Sequence, residues 1–274
     1  MIGSITAPSP LNRDRLIVVA GLLVLIVASW SYLFFVSTDM KNPGMQMSPE
    51  MGNDMRMSAV TADIMPWGTA EWISMFVMWS VMMIGMMIPS ASPMILLFSK
   101  VNRQRREGNQ PYVSTGIFML GYVIVWTFFS IVATFANYIL HENALLSGMM
   151  GQSESAILGG CLLIAAGIFQ WTPWKNTCLN QCRTPMGFLM TEWRDGGIGA
   201  LSMGLKHGLY CTACCWLIMS LIFVLGVMNL VWIAALSIFV LLEKIAPKGL
   251  WISRASGIAF VIWGSLLLSN VIGV

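Results

Sequence analysis

Charge is what this sequence has least of. Asp, Glu, Lys and Arg supply 10% of its 274 residues, against about 25% in soluble globular domains. The net charge is only +3, and there is no basic motif or RNA-binding signature, so a nucleic-acid partner is not expected. No Walker-type phosphate loop is present, and no phosphorylation-type pump motif, so any transport has no ATP motor within this chain. No nucleophile–base arrangement stands out, and the reading leans away from an enzyme.

What is abundant is apolar. Hydrophobic residues make up 57% of the chain, in long runs near the 17–25 residues that cross a bilayer as helix. The expected fold class is all-α, a polytopic transmembrane helix bundle of about seven spans in the cytoplasmic (inner) membrane. The spans read as Leu16–Val36, Trp72–Phe98, Val113–Leu140, Ala156–Trp171, Gly199–Leu225, Leu230–Leu242 and Leu250–Val271. The first is too long for a signal-peptide core and is taken as an anchor. The sixth is short: it is a re-entrant half-helix, or a full helix extended to Ala246 with Lys244 snorkelling outward. Basic residues bear on the count. Thirteen of the 15 fall in alternate segments (among them Arg13, Lys100, Arg105, Lys175, Lys206 and Lys244), which places the N-terminus inside and the C-terminus outside. The chain divides into an N-terminal tail and anchor (1–37), a Met-rich extracytoplasmic loop (38–71) and a six-helix metal-binding membrane domain (72–274).

The run His207-Gly208-Leu209-Tyr210-Cys211-Thr212-Ala213-Cys214-Cys215-Trp216 concentrates the chemistry. It holds three of 6 cysteines and one of 2 histidines. On a helix, positions 207, 211, 214 and 215 share one face. Imidazole with thiolates is a soft ligand set, suited to Cu(I), with zinc the other option. Against this stands plain packing, since small cysteines fill apolar helices well.

Methionine is the second theme, with 23 in the chain. The loop carries Met45-x-Met47 and Met55-x-Met57 in a polar, Gly/Pro-containing setting that offers no packing reason for them. Neutral thioethers favour Cu(I) over Zn(II). Met75, Met78, Met82 and Met86 then form a stripe on the second span, with sulfurs about 6 Å apart if the helix is regular. Two readings compete there: a thioether ladder and ordinary Met packing. Pro89 and Pro93 predict a kink in the same span. Cys178-x-x-x-Cys182 falls on the inner side, where thiols stay reduced, and joins the Cys211 cluster as a candidate ligand pair. Cys161, beside Gly159 and Gly160, reads as packing. Glu243 is an intramembrane carboxylate and so a functional candidate, and with Lys244 beside it and the interface near, a structural role competes equally.

Several signatures occur together: Trp79-x-x-Met82-x-x-x-Met86-Met87-x-Pro89-Ser90, Cys178 with Cys182, Trp193-Arg194-Asp195-Gly196, the His207–Trp216 run, Met228-Asn229-Leu230 and Glu243-Lys244-x-x-Pro247. From about Ile73 onward the chain resembles the bacterial family of predicted metal-binding integral membrane proteins, a domain-of-unknown-function family. The resemblance implies a metal and transfers no activity; the inference of copper rests on the residues themselves. The expected function is Cu(I) transport, delivery or storage through Met and Cys/His ligands. Its partners would be the lipid bilayer and a copper chaperone or larger membrane complex. The alternatives are an assembly subunit of such a complex and a thiol-redox membrane protein.

Overall fold

The computed structural model describes residues 10–41, 67–108, 113–143 and 156–272. Among these the regular structure is helix, with no strand. Apolar sequence favours this outcome wherever water is excluded, because a helix satisfies its own backbone hydrogen bonds. The order is α1 (Pro10–Lys41), α2 (Thr69–Glu107), α3 (Thr115–Glu142), α4 (Ala156–Phe169), α5 (Pro173–Arg183), α6 (Pro185–Glu192), α7 (Gly196–Ser220), α8 (Ile222–Leu225), α9 (Leu230–Ile245) and α10 (Gly249–Ile272).

Five stretches are long and apolar enough to cross a membrane: Arg15–Thr38, Thr69–Arg105, Thr115–Glu142, Gly196–Leu225 and Gly249–Asn270. A sixth is present if α4 and α5, bent by 67°, count as one broken span. The expected sixth span is α9, which has only 16 residues and is not among those stretches. It is a real helix, and it extends past Leu242 as the longer of the two sequence readings required. The outer surface is apolar, with Val24, Phe35, Phe128, Ile198, Val231 and Trp251 exposed.

α2 runs through both of its prolines as one helix. Pro93 cannot donate to the carbonyl of Pro89, and the Ser92 hydroxyl takes that place by donating to it at 2.8 Å. The far end of α2 is tied to the start of α3 by Asn102, whose amide pairs with both the N–H and the carbonyl of Val113. α3 lies along α7 at very close range. A Cβ on Gly121 would sit 2.5 Å from the Leu201 carbonyl oxygen, and one on Gly204 would collide with the Phe118 carbonyl. Small residues at such a seam let two backbones meet. α4 packs on α10, α1 on α2, and α5 on α7. α9 bridges α2 and α10. Gly226, at φ +97°, ends α8 in the left-handed region that glycine enters without strain.

Trp79, Trp126, Tyr122 and Phe118 fill the core with Met82, Met83, Met86 and Met87. Two cations lie inside as well. Lys175 and Lys244 are both buried, so neither acts as the headgroup-level charge that a positive-inside count assumes. Lys244 does not snorkel.

Candidate metal centre

The buried face of α7 carries Met203, His207, Cys211, Cys214 and Cys215. Their spacing of three and four residues aligns them, as the helical reading expected. The neighbours were not legible in the run itself. Cys211 Sγ lies 2.9 Å from Lys244 Nζ of α9 and 3.2 Å from the Tyr122 hydroxyl of α3. The same hydroxyl contacts the Met87 carbonyl oxygen at 3.2 Å. Lys244 Nζ also donates to Ser90 Oγ at 3.0 Å. Three helices therefore meet at one sulfur, and α2 holds both of its partners.

A fifth helix brings Cys182, whose thiol is within hydrogen-bonding reach of Cys211 and Cys214. Cys178 is buried one turn earlier on α5. Cys214 and Cys215 turn their thiols back onto the Cys211 carbonyl oxygen, donating at 3.1 and 2.9 Å. The thiols touch, but they do not converge. Among the described residues no group of three or more His, Cys, Asp and Glu side chains is arranged to hold a metal ion.

His207 sits in an aromatic cage. The rings of Phe118, Tyr122 and Phe188 lie 6.1, 5.6 and 5.7 Å from its own. Its Nδ1 is buried without a hydrogen-bond partner. Buried polar atoms are normally paired, so this orphaned imidazole nitrogen is open to serve as a donor to a soft metal.

The methionine stripe faces inward. Met78, Met82 and Met86 are buried, as are Met83 and Met87, and Met75 is half-buried. One end of it is joined to the thiol pocket through the neighbouring Met87 carbonyl, which Tyr122 contacts, and Met86 is held to α9 by Ser237, which donates to its carbonyl at 3.2 Å. Met45, Met47, Met55 and Met57 lie outside the described residues. Cys161 is exposed, so the packing expected of it falls to its glycine neighbours. Gly160 meets Leu268 and the Gly264 carbonyl of α10.

A second polar cluster adjoins the first. Lys175 Nζ bridges Glu243 Oε1 and Oε2 at 2.8 and 3.0 Å and also reaches Gln170 Oε1. Ser253 donates to the same amide oxygen at 2.8 Å. Lys175 looked like a loop charge in the sequence. The available signal was its place three residues before Cys178 on one helix face, just after the Thr172–Pro173 helix start, where Thr172 Oγ1 accepts from the Lys175 N–H.

Fold and pocket together define an apolar all-helical chain that buries soft donors between helices. Over residues 76–267 its sequence matches the PpoB2 family, described as a copper chaperone, and the chain belongs to that family. The match spans Met78 to Met86, every cysteine and Lys244; Met75 and the Met-rich loop precede it. No curated protein and no solved structure matches the chain. Its function is thus copper-related, at the level the family describes.

Proposed function

We propose that the protein is a membrane-embedded Cu(I) carrier, with copper as cargo rather than as a resident cofactor. The receiving site is two-coordinate, Cys211 with one thiol neighbour from among Cys214, Cys215 and Cys182, and His207 and Cys178 stand beside it as ligands for handover. The observation that carries this reading is that the half-buried Cys182 of α5 lies within hydrogen-bonding reach of the buried Cys211 and Cys214 of α7. Soft thiolates select Cu(I) among the common cellular cations.

Met75, Met78, Met82 and Met86 would lead copper toward that pocket, after capture by Met45, Met47, Met55 and Met57. Movement from neutral thioethers to anionic thiolates is downhill for a soft cation. Support comes from the burial of the stripe and from its hydrogen-bonded link to the pocket through Met87 and Tyr122. Zinc fits less well. A structural zinc site closes four N or S ligands into a tetrahedron, and no such set is preformed among the described residues. In this reading the chain crosses the inner membrane seven times, with the N-terminus inside, α9 as the sixth span, and a soluble copper acceptor as partner.

The test is metal content. Protein purified in detergent under reducing conditions and loaded with Cu(I) should hold copper, and the Cys211/Cys214/Cys215→Ser variant should lose it. Copper retained in full by that variant would refute the thiol site.

A further inference from the structure

α9 places two opposite charges side by side in the interior. Glu243 is matched by Lys175. Lys244 is treated differently. Its Nζ lies 2.9 Å from Cys211 Sγ and 3.0 Å from Ser90 Oγ, and the residue is only 7% exposed. Among the described residues no carboxylate forms an ion pair with it. The Ser90 hydroxyl donates its own proton to the Met87 carbonyl at 2.9 Å, which leaves an oxygen lone pair facing the ammonium. A lysine near a helix end ordinarily carries its charge out to water. Here the charge stays inside, against a thiol.

We infer that Lys244 is the counter-ion of the copper–thiolate complex and a specificity-determining residue that favours a monovalent soft cation over zinc. The inference rests on the Cu(I) reading above. It is a matter of charge balance. As each Cu–S bond forms, the thiol gives up its proton to solvent, and no electron is exchanged. Cu(I) with two thiolates carries a net charge of −1, and the ammonium brings the pocket to zero. Zn(II) with the same two thiolates leaves the pocket at +1. Zinc reaches neutrality only with three thiolates, and the described residues hold no three-donor arrangement. Uncompensated charge is costly where water is excluded, so the fixed ammonium lowers the free energy of one complex and raises that of the other. Ser90 holds it in place.

The experiment measures the full chain in detergent, titrated with Cu(I) against a chromogenic Cu(I) chelator and with Zn(II) against a zinc chelator. Lys244→Met should lower the ratio of Cu(I) to Zn(II) affinity by about tenfold or more, and Lys244→Arg should hold it within about threefold of the parent, because a desolvated unit charge interacts strongly at this range. An unchanged ratio in Lys244→Met overturns the inference and leaves the copper reading standing. So does an equal fall in both variants, which would make shape rather than charge the cause. A parent protein that binds no Cu(I) overturns the copper reading and the inference with it. Should Lys244→Met fail to fold, X-ray absorption of the copper-loaded parent decides. Two sulfur ligands support the balance, and three or four refute it.

Discussion

Lys175 Nζ lies 2.8 and 3.0 Å from the two carboxylate oxygens of Glu243, and both side chains are sealed from solvent. The pair joins α5, which carries Cys178 and Cys182, to α9, which carries Lys244. Its position therefore sets where two walls of the thiol pocket stand. Removing one partner strands a charge in a water-free interior. Lys175→Met and Glu243→Leu should each destabilise the protein by about 3–5 kcal/mol, and the double variant by less than either. Thermal unfolding in detergent measures this. A double variant as costly as the two singles summed would show that the pair is not coupled.

The α3–α7 seam has no room for a methyl group at Gly204, where a Cβ would collide with the Phe118 carbonyl. Backbone, not a flexible side chain, stands in the way. Gly204→Ala should lower stability by roughly 1–3 kcal/mol through overpacking. It should also weaken Cu(I) binding, since α3 carries Tyr122 and α7 carries Cys211. The control is Gly21→Ala, whose Cβ meets nothing within 4 Å and which should leave both readouts unchanged.

Packing and ligation make opposite demands on the methionine stripe. Met82→Leu nearly conserves volume and should change stability by less than about 1.5 kcal/mol. If the thioethers lead copper inward, the same variant should still slow loading of the Cys211 pocket. Stopped-flow Cu(I) uptake separates the two. Uptake at the parental rate in a Met78/Met82/Met86→Leu protein would reduce the stripe to packing.

Cysteine position, not cysteine count, should govern copper binding. Cys182 touches Cys211 and Cys214, whereas Cys161 is exposed on α4. Cys161→Ser should keep full copper content. Cys182→Ser should lower affinity for Cu(I) or speed its release to an external chelator, with little change in unfolding temperature.

Copper should also stabilise the fold it occupies. Free Cu(I) at about a hundred times its Kd would add about 2.7 kcal/mol to the unfolding free energy, and a chelator should remove the gain. The Cys211/Cys214/Cys215→Ser protein should show no such rise. A rise of equal size in that variant would place the copper elsewhere.

Much of this architecture is written in local pattern. Scarce charge and long apolar runs specify helices, because a lipid-like interior forces every backbone group to bond within its own segment. The 3.6-residue period puts His207, Cys211, Cys214 and Cys215 on one face, and burial followed that face. The same arithmetic placed the methionine stripe. Span counting worked less well, because α9 is shorter than a full crossing and α4 and α5 form a bent pair.

What the sequence by itself determined was the helical class, the shared face of His207, Cys211, Cys214 and Cys215 on α7, and the methionine stripe on α2. These depend on residues a few positions apart, where helical geometry fixes the outcome. Only the tertiary structure decided that Lys244 faces Cys211 across 33 positions and that Lys175 reaches Glu243 across 68. In the sequence Lys244 reads as a charge at a helix end and Lys175 as a loop charge, each free to find water. Whether it turns inward depends on partners that no local period encodes, and a buried charge is tolerated only where the fold supplies them.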